Sequence, residues 1–227
     1  MLNLGTTSRL KRVVIKLFKG ETVKLGAVGG SITWGFGIKK GHDEYLAQLA
    51  AWMQKAFPKA SVSARNGGTP ATTSAFMNLC YQNKVDADVD LLLVEYSIND
   101  HHTDNQEWQR QDETVQHFEQ MLRKLLVNDQ GKGAEGDPAL VIVHSWRPCI
   151  AGTPSTSNEV SSFIASKTEQ EYDVLLQYYS LPWVSLRNAV YHAAQRNMPG
   201  FTKDIFVHGL ALLRISLCIL SKAIWLY

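Results

Sequence analysis

The sequence predicts an α/β domain whose parallel sheet is covered by helices on both faces. Two observations carry this. Short apolar runs alternate with segments of helical spacing along the chain, and no linker-like stretch divides the alternation. With 227 residues, 45% of them hydrophobic and 19% charged, the chain suits one domain over 1–227 with a full core.

An amphipathic helix comes first. Leu10, Val13, Val14, Leu17 and Phe18 recur at helical spacing, between a start at Thr7 or Ser8 and a stop at Gly20. Its basic flanks also fit a transit peptide or a membrane-surface helix, but packing on the domain is preferred. No apolar core of a signal peptide is present in these residues, which leaves the compartment open. Val23–Gly29 reads as a buried strand, Glu44–Phe57 as a helix ended by Pro58, and Ala60–Ala64 as a second strand. A helical stretch at Ala71–Tyr81 leads to the most apolar strand, Asp90–Tyr96. A helix at Gln109–Val127, a strand at Ala139–His144, a helix at Thr168–Tyr179, a short strand at Pro182–Val184 and a helix at Leu186–Gln195 complete the pattern. Residues 209–227 are apolar on nearly every side. Arg214 and Lys222 argue against a membrane span, so a buried terminal helix and no stable membrane insertion are expected.

A net charge of +2 gives no support for nucleic-acid binding. Residues 1–65 nevertheless hold 11 Lys/Arg against 3 Asp/Glu, while 84–137 hold 5 against 13. This is either a dipolar surface or a set of solvated faces. Cys80, Cys149 and Cys218 lie far apart, without ligand spacing, and read as buried free thiols.

In a parallel α/β sheet, ligands bind at the carboxyl ends of the strands. The residues there are Gly29-Gly30-Ser31-Ile32-Thr33-Trp34-Gly35, Arg65-Asn66-Gly67-Gly68-Thr69-Pro70, Ser97-Ile98-Asn99-Asp100 and Ser145-Trp146-Arg147. The first of these loops lacks GxxxxGK[ST], Gly35-Phe36-Gly37 is not followed by the third glycine of GxGxxG, and the GxSxG elbow is absent. What remains is a serine at a strand end, with a glycine amide (Gly68) and a carboxamide (Asn99) available as donors to a developing oxyanion. Trp34, His144 and Trp146 are candidate walls of a substrate cleft, with core packing the alternative for the tryptophans and a hydrogen-bonded imidazole that for His144. Asp100 is placed to cap or orient the Asn99 loop. His101, His102 and Asp104 lack a further ligand set, so no metal is expected; His42, His117 and His192 read as surface or satisfied residues.

GGSITWG, NGGTPA and YSIND, in that order, resemble the first three blocks of the SGNH (GDSL-type) hydrolases. The preceding TSRLKRVVIKLFKGETVKLGAVGGS resembles a eukaryotic branch of that family seen in algae and other protists. The resemblance runs from about residue 5 to 208. It implies a three-layer α/β/α sandwich with a flavodoxin-like parallel sheet, and esterase activity without metal, nucleotide or other cofactor. Ser31 would be the nucleophile, with the Ser31 and Gly68 amides and the Asn99 side chain as the oxyanion hole. His208 would be the general base and Asp204 its orienting partner. The substrate would be a small-molecule or carbohydrate ester, with short acyl groups on sugar favoured.

The match has departures. Asp204 and His208 are one residue further apart than the family's Asp-x-x-His, and Gly209 replaces the proline after the histidine. An apolar run follows, as a natural variant or an altered reading frame would give. Gly30, Ser97 and Ala71 stand where the family has Asp, Gly and a later Gly. The alternatives are therefore an impaired carbohydrate-binding or scaffold protein, and an acyltransferase using the same residues.

Overall fold

The computed structural model describes residues 2–3, 5–38, 41, 43–100, 108–127, 137–145, 167–196 and 198–199. Its strands are β1 (Leu2–Asn3), β2 (Thr22–Gly29), β3 (Ser61–Asn66), β4 (Leu91–Glu95), β5 (Ala139–His144) and β6 (Trp183–Ser185). Its helices are α1 (Ser8–Lys19), α2 (Ser31–Trp34), α3 (Tyr45–Ala56), α4 (Ser74–Cys80), α5 (Trp108–Val127), α6 (Lys167–Tyr178) and α7 (Leu186–Gln195). The expected terminal helix at 209–227, Cys149 and Cys218 lie outside the described residues. Cys80 is a free thiol, half-buried and not buried as expected.

Strand side chains alternate between the two faces of the sheet, so an uninterrupted apolar strand supplies two cores at once. In β4, Leu91 and Leu93 pack with Leu17 of α1 and with Leu46, Leu49 and Met53 of α3. Leu92 and Val94 pack with Met77 of α4, Phe118 and Leu122 of α5, and Tyr172 and Leu176 of α6. These are the two helical layers of a three-layer sandwich. On the second face Phe118 and Tyr172 stack with centroids 3.6 Å apart. Phe18, read from spacing as part of the α1 core face, is instead 73% exposed and meets Phe57 edge-on.

The sheet order is β1-β6-β5-β4-β2-β3. Strands β2 to β6 are parallel, and their order is the flavodoxin-like one that the family resemblance implied. β1 adds an antiparallel edge through Leu2 opposite Val184. Two residues carry no periodicity, so this strand was not legible in the sequence. The edge strand β3 is largely exposed, which explains why its apolar signal is weak.

The two charge blocks meet each other at the amino ends of the strands. Lys16 Nζ donates to Asp90 Oδ1 at 2.7 Å, Lys24 Nζ to Asp88 Oδ2 at 2.5 Å, and Arg12 Nη2 to the Asp137 carbonyl at 2.7 Å. A cleft of about 500 Å³ opens among these residues. It lies at the opposite end of the sheet from Ser31, and its charges are largely neutralised by one another. Among the described residues no helix is long and apolar enough to cross a membrane.

Leu93 is fully buried on the central strand. Leu93→Ala is expected to lower unfolding stability by roughly 2–5 kcal/mol in urea titration.

Candidate functional site

Parallel strands whose connections leave in opposite directions create a crevice at their carboxyl ends. Here the reversal lies between β2, whose connection runs outward to β3, and β4, reached from β3 by crossing back. Ser31 follows β2 and Asn99 follows β4, so the two flank that crevice. Gly29 and Glu95 are paired in the β2–β4 register, which brings the two strand ends level.

Ser31 is half-buried and opens the single turn of α2, with Gly30 as its N-cap. Asn99 lies against it through Gly30, since a Cβ at Gly30 would fall inside the Asn99 carboxamide. The position where the family has Asp must therefore be bare in this chain. Asn99 Nδ2 donates one hydrogen bond, to the Thr72 carbonyl at 2.7 Å, and a carboxamide carries a second N–H.

The third strand end differs from the sequence expectation. Gly68 is buried, and its N–H donates to Asn66 Oδ1 at 2.9 Å. Asn66 Nδ2 donates in turn to the Thr33 carbonyl at 2.7 Å. A Cβ at Gly68 would come within 2.5 Å of the Trp34 amide nitrogen. Gly68 thus seats the loop on α2 and spends its amide inside that loop. Three residues on, Ala71 is exposed and adopts a left-handed backbone, φ 57°. That conformation is costly for a residue with a side chain. The sequence signal was present, because Ala71 stands where the family's block has its later glycine.

Asp100 does what its position suggested. Its Oδ1 accepts the Ser74 amide at the start of α4 at 2.9 Å, and its Oδ2 accepts the Tyr172 hydroxyl at 2.5 Å. The carboxylate thus ties the Asn99 loop to α4 and α6. Burial, with Asp100 alongside, keeps the Tyr172 phenol protonated far above its usual range.

Glu95 was missed, although an acid ending the apolar run Leu91–Val94 was the available signal. It is fully buried beneath the turn that carries Ser31, where its Oε2 accepts the Thr33 hydroxyl at 3.1 Å. That hydroxyl also lies 3.0 Å from the Tyr45 hydroxyl. Oε1 has no hydrogen-bond partner of ordinary geometry among the described residues. Burial first, and Asp100 further down, raise the Glu95 carboxyl to about 7, against the opposing pull of Ser145, Thr33 and the Gly30 amide.

His144 does not line a cleft. It is fully buried, with Nε2 3.5 Å from Asp173 Oδ1 and its ring edge-on to Trp183. Among the described residues neither of its nitrogens makes a hydrogen bond of ordinary geometry. β5 is covered on both faces, so its last residue turns into packing and not toward the crevice. Trp34 is half-buried beside the site. Asp204, His208, Trp146, His101, His102 and Asp104 lie outside the described residues. Among the described residues no three His, Cys, Asp or Glu side chains cluster as metal ligands would.

The fold is an α/β architecture shared with several esterases of known structure. A two-domain esterase active on acetylated mannans, co-crystallised with mannopentaose, superposes with a TM-score of 0.73 at 22% identity, covering 98% of this chain and 56% of that one. The chain therefore spans about half the length of that enzyme. LAE5, an alpha/beta hydrolase from the metagenome of Lake Arreo, Spain, gives 0.65 at 16% identity over 89% of this chain and 95% of its own. Axe2, an acetylxylan esterase from Geobacillus stearothermophilus, gives 0.60 at 16% over 89% and 94%. No protein-family model matches the sequence, and no curated protein matches it.

Two stability predictions follow from the buried acids. An unfolded Glu95 releases its proton near 4.5, whereas the folded one keeps it to about 7. Glu95 therefore makes stability fall as pH rises across that interval, by on the order of 3 kcal/mol, and then level off. Glu95→Gln is expected to flatten this part of the profile when unfolding is compared at about pH 5 and about pH 8. Asp100→Ala strands the Tyr172 hydroxyl and the Ser74 amide, and is expected to cost roughly 2–4 kcal/mol in the same assay.

Proposed function

We propose that this chain is an SGNH (GDSL-type) serine esterase that hydrolyses carboxylic esters, O-acetyl groups on carbohydrate among them, through an acyl-enzyme on Ser31. The observation that carries this reading is the meeting of Ser31 and the Asn99 carboxamide across the bare Gly30, at the crevice where an α/β sheet binds ligand. The fold shared with esterases of acetylated mannan and xylan supports the carbohydrate ester as substrate class. Placement in an algal or protist branch rests on the amino-terminal segment alone.

In this mechanism the Ser31 hydroxyl attacks the ester carbonyl while His208, oriented by Asp204, takes its proton. The tetrahedral oxyanion is held by the Ser31 amide, the second N–H of Asn99 Nδ2 and one amide of the 67–73 loop. Ala71 is the better third donor than Gly68, whose N–H is already engaged by Asn66. Collapse of the intermediate expels the alcohol, which takes the proton from His208. Water, activated by His208, then releases the acid and frees Ser31. The Glu95 carboxyl, the Thr33 hydroxyl and Tyr45 lie beneath this turn and hold it rigid.

Fluorophosphonate labelling with peptide mapping tests the assignment. The label is expected on Ser31 and absent from a folded Ser31→Ala protein; equal labelling of that variant would place the reactive group elsewhere. Asn99→Ala is expected to lower kcat on acetylated mannan or xylan oligosaccharides by about 10²–10³, the usual weight of one oxyanion donor.

A further inference from the structure

The helical turn that opens at Ser31 ends on an exposed aromatic ring, that of Phe36. The Gly35 amide donates to the Ile32 carbonyl at 3.1 Å and the Phe36 amide to the Ser31 carbonyl at 3.0 Å. Gly35 itself is left-handed, with φ 85°. This paired arrangement is the common glycine stop of a helix, in which the residue after the glycine lays an apolar side chain on the residue five positions earlier or its predecessor. In this chain those positions are Ser31 and Gly30, one a hydroxyl and the other without a side chain. Phe36 therefore finds no apolar side chain at those two positions and is 74% exposed. Gly37 follows, again left-handed, with open space around it. The Trp34 ring lies 6.4 Å from that of Phe36 and is tilted by 34°.

We propose that Phe36, together with Trp34, is the platform on which the sugar ring bearing the ester rests, and that Phe36 sets the preference of the site for the alcohol side of its substrate. The inference rests on the esterase reading above. Chemistry favours a sugar over a long acyl chain. An alkyl chain gains free energy in proportion to the area it removes from water, so it needs an enclosing tunnel. Phe36 offers one open face. A pyranose has an apolar face of C–H groups for an aromatic ring and keeps its hydroxyls in water, which suits a ring left exposed at a wet edge. The backbone bond from Phe36 to the Ser31 carbonyl couples the platform to the nucleophile, so a sugar seated there presents its acyl group at a fixed height above the hydroxyl.

The test compares wild type, Phe36→Ala and Phe36→Tyr on partially acetylated oligosaccharides and on ethyl acetate. The ratio of kcat/KM for the oligosaccharide to that for ethyl acetate is expected to fall roughly three- to tenfold in Phe36→Ala, chiefly through KM, and to recover in Phe36→Tyr. An unchanged ratio overturns the proposal, as does a shift in acyl-length preference with no change toward the sugar. A second arm does not depend on turnover. Deacetylated oligosaccharide is titrated by calorimetry into Ser31→Ala and into Ser31→Ala/Phe36→Ala, with weaker binding expected in the double variant. Phe36-dependent sugar binding in a chain that hydrolyses no ester would sink the esterase reading and leave this one standing. Hydrolysis of simple esters with no Phe36-dependent sugar binding would do the reverse.

Discussion

Three strand-end loops meet over the sheet with no room for side chains between them, and the rest of the site depends on that contact. A Cβ at Gly29 would collide with Thr33, one at Gly30 with the Asn99 carboxamide, and one at Gly68 with the backbone of α2. Close approach brings the loops after β2, β3 and β4 into contact around the turn that carries Ser31. It also explains the cost accepted at Ala71. The loop must turn sharply to descend from Gly68 onto the Asn99 side, and a left-handed residue provides the turn.

Beneath the contact lie two buried carboxyl groups with different tasks. Asp100 is surrounded by donors from α4 and α6 and acts as a fixed joint between layers. Glu95 accepts the Thr33 hydroxyl and is drawn on by Ser145 and the Gly30 amide, yet burial outweighs them and holds its proton toward neutrality. It lies under the turn that carries Ser31, bonded to Thr33 of that turn.

The far end of the sheet shows the opposite economy. There the basic face of α1 and the acids preceding β4 and β5 neutralise one another across the amino ends of the strands. Exposed pairs of this kind contribute little individually. Their arrangement separates a charged, self-satisfied end from the small, polar, glycine-rich end that holds Ser31.

Much of this was legible in one sequence. The alternation of apolar runs and helical spacings determined the class of fold, because a period of two or of 3.6 is a property of neighbouring residues. Ser31, Asn99 and Asp100 were singled out because they follow apolar strands, where chain order alone identifies a carboxyl end. Gly68 was read as an open donor; its amide goes to Asn66, two residues earlier, and Asn66 is held in place by the Thr33 carbonyl of α2, which the fold brings to it. His144 was placed in a cleft on strand order, yet the sheet turns it inward against Asp173 and Trp183. Local pattern determined which residues form each element and which end of it bears chemistry. The tertiary structure decided which polar groups remain available there, since availability is settled by contacts between segments distant in the chain.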